Sequence, residues 1–234
     1  DQLNIMTALD PAFALLNASP YHNGEQVASS SRNWIYRYGW EPDFPQTVEL
    51  WDYADSIEGW KQRMHEAFEG FRKGAIDAGI EPGKFDSQFH PDRSTWTPVR
   101  LRDQFPTVEY RSPDATSPGD VLKFVSDMET VMEVSKDKEV VKGENPGIKD
   151  DVVIIPGFNR LEELSRLAAR EGVSNPEVRN YLSHMGFTVE EYEPLSDKIG
   201  EKEKISLEEA RQIRLEAAEI LEEDLEDLNS VKTF

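Results

Sequence analysis

A chain of 234 residues is long enough for one large domain or a domain with an appendage, and 38 % hydrophobic with 10 % aromatic residues is enough for a packed core. A net charge of −20 argues against binding nucleic acid or anionic lipid, since both are held through neutralised phosphates. The sequence contains no cysteine, which excludes disulfides and thiolate-bound metal, and it has no run of about 18 apolar residues able to cross a membrane.

Residues 1–17 read as a helix. Leu3, Ile5, Met6, Leu9, Phe13 and Leu16 suit its buried face, with Pro11 as a kink. The chain opens inside this element, which predicts that an N-terminal portion has been removed or is encoded separately. Residues 18–54 read as irregular, because Asn17-Ala-Ser-Pro-Tyr21, Asn23-Gly24 and the serines 29–31 are turn formers. Tyr21, Trp34, Tyr36, Tyr38, Trp40, Phe44, Trp51 and Tyr53 lie in this stretch. So many rings predict that it packs over the core or lines a cleft.

The next helix is predicted over 55–79, capped by Asp55 or Ser56 and ended by Gly79. Ile57, Trp60, Met64, Ala67, Phe68, Phe71 and Ile76 form its stripe. Residues 80–103 read as a loop around Pro82-Gly83 and Pro91, followed by a strand over Phe105–Arg111. Ser117 or Thr116 then caps a helix with Pro118 in its first turn and an apolar face at Val121, Leu122, Phe124, Val125, Met128 and Met132. Lys136–Asp151 is charged and glycine-containing and reads as a linker or surface loop. A short strand is predicted at Val152–Ile155, and helices over 158–171, 175–185 and 206–228. The last opens on Ser206-Leu-Glu-Glu209, a capping-box pattern. Its stripe of Ala210, Ile213, Ala217, Ile220, Leu221 and Leu228 either packs on the same chain or receives a partner helix. The expected division is a first domain over 1–135, a linker or surface loop over 136–150 and a helical extension over 151–234.

The strand Phe105–Arg111 carries the most chemistry. Alternation sends Val108 and Tyr110 to one face and Thr107, Glu109 and Arg111 to the other. Arg100 lies nine residues before Glu109. A carboxylate among guanidinium groups can hold a hard cation while the arginines fork onto phosphate or carboxylate. The same residues can equally make a surface cross-strand ion pair. The four histidines, His22, His65, His90 and His184, show no metal-ligand spacing, and no phosphate-binding loop or nucleophile elbow is present.

Taken together, Ala18-Ser-Pro-Tyr21, Gly24, Ala28-Ser-Ser-Ser-Arg32, Arg100, Thr107-Val-Glu-Tyr-Arg111 and Asp114 form a pattern. In order and spacing it resembles the second glutamate–cysteine ligase family of carboxylate–amine ligases, within the glutamine synthetase superfamily. With Trp96-Thr-Pro-Val-Arg-Leu-Arg102 added, it is most similar to the archaeal branch. The likeness covers 1–134 in general, and the part beyond 150 in that branch alone. It implies an α+β fold: part of a glutamine-synthetase-like antiparallel sheet with helices on one face, plus a mostly helical C-terminal region. The implied activity is ATP-dependent joining of the glutamate γ-carboxylate to the cysteine amine through an acyl phosphate. ATP and Mg²⁺ (or Mn²⁺) are the implied cofactors. By the same resemblance Glu109 is a metal ligand, Arg100 and Arg111 are catalytic and Arg32 receives the glutamate carboxylate. Ser19 and Ser31 are turn formers, and Asp114 caps or turns the chain.

One departure stands out. The family's early E-x-E strand and its histidine-containing strand have no counterpart in this sequence, which predicts an incomplete active site if this is the whole polypeptide. Two alternatives stay open: a non-catalytic partner or regulatory subunit on the same scaffold, and a ligase for another amine. A generic acidic α+β domain is a third. The net charge suits a protein kept soluble in high salt, or simply an acidic soluble one. A cytoplasmic location is expected from the lack of cysteine.

Overall fold

The computed structural model describes residues 1–39, 48–102, 107–114 and 116–231. In chain order these form α1 (Gln2–Ala8), a 3₁₀ stretch (Asp10–Leu16), β1 (Tyr21–His22), β2 (Glu25–Gln26) and α2 (Ser31–Trp34) with a π-helical turn after it (Ile35–Gly39). Then come α3 (Ile57–Asp77), α4 (Pro82–Gln88), α5 (Pro91–Ser94), β3 (Val99–Arg102), β4 (Thr107–Tyr110) and α6 (Pro118–Ser135). The rest comprises β5 (Glu139–Lys142), β6 (Gly147–Ile148), β7 (Val152–Ile155), α7 (Phe158–Glu171), α8 (Pro176–His184), α9 (Leu195–Ile199) and α10 (Leu207–Val231). The described residues are therefore mixed α and β, mostly helical, with three small sheets. None of their helices is long and apolar enough to cross a membrane.

Two compact units divide the chain. One comprises Asp1–Asp10 with Tyr36–Ser112, the other Pro11–Ile35 with Pro113–Phe234. In the first unit, α3 is started by Ser56, whose hydroxyl accepts from Gly59 N–H at 2.9 Å. Its buried face splits into two patches. Trp60, Met64 and Ala67 join Trp51, with Leu3, Ala54 and Leu101 against them. Phe68 and Ala75 join Phe85, with Phe71 and Phe89 packed alongside. The antiparallel hairpin β3–β4 lies against α1, pairing Val99 with Tyr110, Arg100 with Glu109, Leu101 with Val108 and Arg102 with Thr107.

The second unit holds the β5-β7-β6 sheet, parallel between β5 and β7 and antiparallel between β6 and β7. Val153, Ile155, Leu161, Leu164, Ala168 and Leu182 are among its buried apolar residues. The C-terminal helix α10 begins with a complete capping box. Ser206 Oγ accepts from Glu209 N–H at 3.2 Å, and Glu209 Oε2 accepts from Ser206 N–H at 2.8 Å. Just before it, Ile205 N–H donates to Gly24 O at 2.8 Å, and a Cβ on Gly24 would stand 2.7 Å from Ile205 O. With φ at +82° as well, only glycine fits that turn. Farther along, Asp224 Oδ2 accepts from Gly119 N–H at 2.7 Å, capping the first turn of α6.

Three sequence expectations are corrected. The helix over 1–17 is two pieces, because Pro11 has no N–H to continue α1 and the chain tightens into 3₁₀ geometry. The loop over 80–103 contains α4, α5 and β3, the two helices each opening on a proline at the first turn. The linker over 136–150 contains β5 and β6, so it is part of a sheet. Trp40, Phe44 and the residues 103–106 lie outside the described residues.

Candidate functional site

The β3–β4 hairpin is amphipathic by alternation. Leu101 and Val99 share one face with Val108 and Tyr110, and Leu101 packs against the Trp51–Trp60 patch. The other face brings Arg100 and Glu109 together as direct register partners, with Arg102 beside them and Arg111 just past the end of β4. Arg100 Nε donates to Glu109 Oε2 at 2.9 Å, and Arg102 Nη1 donates to the same oxygen at 3.1 Å. Arg111 Nε lies 3.6 Å from Oε1. One carboxylate thus faces three guanidinium groups.

The arginines are themselves oriented from behind. Arg100 is the most buried of them, with its side chain 6 % exposed. Its Nη1 donates to the carbonyls of Asp92 at 2.9 Å and Thr95 at 2.7 Å. Arg111 Nη1 donates to the same Thr95 carbonyl at 3.1 Å. The buried Asp92 carboxylate stands 3.6 Å from Arg102 Nη2. Partial burial works to raise the pKa of Glu109. The bond and charge of Arg100, with help from Arg111 and Arg102, outweigh it and hold the carboxyl below its ordinary range. The cluster carries more positive than negative charge, and guanidinium groups match the oxygens of phosphate and carboxylate.

On the strand's opposite side a buried ion pair secures both neighbours of Arg111. Arg37 Nη1 donates to Asp10 Oδ2 at 2.7 Å and Nη2 to Oδ1 at 3.1 Å. Arg37 Nη2 also donates to Ser112 Oγ at 2.6 Å, and Ser112 Oγ donates to Asp10 Oδ1 at 2.6 Å. Tyr110 OH donates to Asp10 O at 2.8 Å. Burial disfavours the Arg37 charge, yet the paired Asp10 more than offsets this and raises its pKa. Tyr110 and Ser112 point into this network, so Arg111 between them is turned to the charged face.

Arg32 belongs to the second unit, at the start of α2. Its Nη1 lies 3.5 Å from Asp114 Oδ1 and 3.4 Å from Pro113 O, and its side chain is 55 % exposed. Ser19 donates its hydroxyl to Asp114 at 2.8 Å, and Ser31 donates to Tyr21 O at 3.2 Å. Among the expected site residues, then, Arg100, Glu109 and Arg111 meet, while Arg32 gathers with Ser19 and Asp114. No sequence motif pointed to Asp92, the Thr95 carbonyl or the Asp10–Arg37–Ser112 network. Arg102 could have been found, since it lies two residues from Arg100 on the same strand face.

A divalent ion of the kind the resemblance implies takes several oxygen ligands. Among the described residues no group of three or more His, Cys, Asp or Glu is placed to hold a metal ion. Both Glu109 oxygens face arginines. The described residues therefore do not fit such an ion by themselves. Comparison with protein-family models, curated proteins and solved structures finds no match to this chain.

Proposed function

We propose that this chain belongs to an ATP-dependent carboxylate–amine ligase that joins the γ-carboxylate of glutamate to the amine of cysteine. The observation that carries the proposal is the meeting of Arg100, Arg102 and Arg111 around Glu109 on one hairpin face. These residues stand in the order and spacing of the ligase pattern. In this reading the β3–β4 hairpin is part of a glutamine-synthetase-like sheet.

A γ-carboxylate oxygen of glutamate attacks the γ-phosphorus of ATP, and ADP leaves with the electron pair of the broken P–O bond. The cysteine nitrogen then attacks the acyl carbon, phosphate departs, and the nitrogen loses a proton to solvent. Such transfers need positioning and charge neutralisation more than covalent help. Arg100 and Arg111 would neutralise phosphoryl oxygens, and Arg32 would receive a glutamate carboxylate. The divalent cation that accompanies ATP would take its ligands from beyond the described residues, and no step is assigned to it. A non-catalytic partner chain is the second reading, favoured by the engagement of both Glu109 oxygens by arginines.

The test is an assay of the purified protein with ATP, Mg²⁺, glutamate and a panel of amines. ADP is followed by a coupled assay and γ-glutamyl products by mass spectrometry. The expected result is ADP release that needs glutamate and cysteine together. No γ-glutamyl product with any amine, coupled with no binding of glutamate or ATP by calorimetry, overturns the ligase reading. Binding of glutamate or ATP without turnover moves the assignment to the partner chain.

A further inference from the structure

Asp114 is a buried carboxylate, its side chain 3 % exposed, that receives four donors in an unequal division. Oδ2 takes three of them: Ala18 N–H at 3.3 Å, Ser19 Oγ at 2.8 Å and Ser30 Oγ at 3.0 Å. Oδ1 faces Arg32 Nη1 at 3.5 Å. We propose that Asp114 is the positioning residue for Arg32, setting both the backbone and the guanidinium of that arginine from one carboxylate. The proposal deepens the ligase reading in assigning Arg32 to a glutamate carboxylate, and rests on it for that ligand alone.

The backbone part runs through Ser30. By giving its proton to Asp114, the Ser30 hydroxyl keeps its lone pairs for Asn33 N–H at 3.3 Å and Asn33 Nδ2 at 3.0 Å. Ser30 is the N-cap of α2, so Asp114 fixes the turn that launches Arg32. The rest of the serine run is held by its main chain. Ser29 N–H and Ser30 N–H donate to the carbonyls of Arg170 and Ala169 at the end of α7, and Ser31 N–H donates to Ser19 O. With that frame fixed, the Arg32 guanidinium, on a side chain that is 55 % exposed, meets the Pro113 carbonyl at 3.4 Å and the Asp114 carboxylate at 3.5 Å. Of these two acceptors Oδ1 is the charged one.

The unequal division supplies a selective test. In Asp114→Asn the amide oxygen can keep the three donors now on Oδ2, while the amide nitrogen then confronts Arg32 with a donor. The substitution therefore takes the Asp114 charge from Arg32 and spares the loop. The side-chain Nε–H signal of Arg32, assigned by its loss in Arg32→Lys, is expected to shift and broaden in Asp114→Asn. The melting temperature should change little. In the ligase assay the glutamate KM is expected to rise about tenfold with kcat within about twofold, the loss of one charge-assisted contact. Adding Asp114→Asn to Arg32→Ala should change the KM no further. Ser30→Ala, which cuts the α2 cap instead, should shift the same signal by a smaller amount, and carries the test if Asp114→Asn does not fold. An Arg32 signal unmoved by either change, or a KM effect that adds to that of Arg32→Ala, overturns the proposal. A wild-type protein with no response to glutamate would remove the ligase reading, while the Arg32 signal would still decide the role of Asp114.

Discussion

Arg100 and Glu109 are register partners across the β3–β4 hairpin, and the arginine is much the more buried of the two. Its charge is matched by a carboxylate that itself stays partly in water. Glu109→Gln removes that charge and leaves Arg100 a neutral amide oxygen beside the carbonyls of Asp92 and Thr95. The expected loss is about 1–3 kcal/mol, read as a lower urea midpoint with an unchanged slope. An unaltered midpoint would mean that the charge of Glu109 adds nothing to the neutral acceptors around Arg100.

The pH response of this pair has a definite sign. The folded-state pKa of Glu109 lies below its ordinary value of 4.5. The stabilisation is therefore complete above about pH 4.5, and is lost as the pH falls through the lower folded value. Urea midpoints between pH 6 and pH 3 should fall more steeply for the native sequence than for Glu109→Gln, and parallel curves would contradict this.

Arg37→Met should be the most damaging single change in the first unit. It takes the paired guanidinium away from Asp10, which is fully buried beside Ser112. Breaking a buried pair in this way costs about 3–5 kcal/mol. Replacing both partners, in Asp10→Asn with Arg37→Met, should recover part of the loss. Thermal melts of the single and double variants check the order.

Ser206→Ala opens the capping box of α10. Among the residues of the helix whose burial is described, 207–230, none is buried, and its first turn is held by the local bonds of the box. Amide exchange in that turn should quicken about fivefold, as expected for the loss of one cap. Lys202 and the Ser206 bonds hold the Glu209 carboxyl at about 2. The native cap is thus present above the ordinary 4.5 and is lost only as the pH falls through about 2, so protection of this turn should persist at pH 3.5. Equal exchange in both proteins would show that the turn is held by other contacts.

Periodicity and capping residues carried the long helices α3, α6, α7, α8 and α10, with starts at Ser56, Ser117 and Ser206 where hydroxyls indeed meet backbone N–H groups. Strand alternation placed Glu109 and Arg111 on one face, but the partner strand that carries Arg100 fell in a stretch read as loop, so the register of Arg100 with Glu109 was not foreseen. What escaped was decided by long-range pairing. The strand β5 is four residues long, charged at Glu139 and Lys142, and defined by a parallel partner that local pattern does not reveal. The Asp10–Arg37 pair joins residues 27 apart, one of them in a π-helical turn, and only tertiary burial distinguishes it from any surface pair. Thr95 acts through its carbonyl, which no side-chain motif records.

The opposite facing of Arg111 and its two neighbours has a consequence for how this segment can change over time. Tyr110 and Ser112 are tied to the buried ion pair, while Glu109 and Arg111 turn the other way. Losing or gaining one residue between Val108 and Ser112 would exchange the two sets, driving ionic side chains inward and the anchors out. Conservative replacements can accumulate here one at a time, but changes in length cannot, so the spacing from Glu109 to Ser112 should outlast the identity of most residues around it.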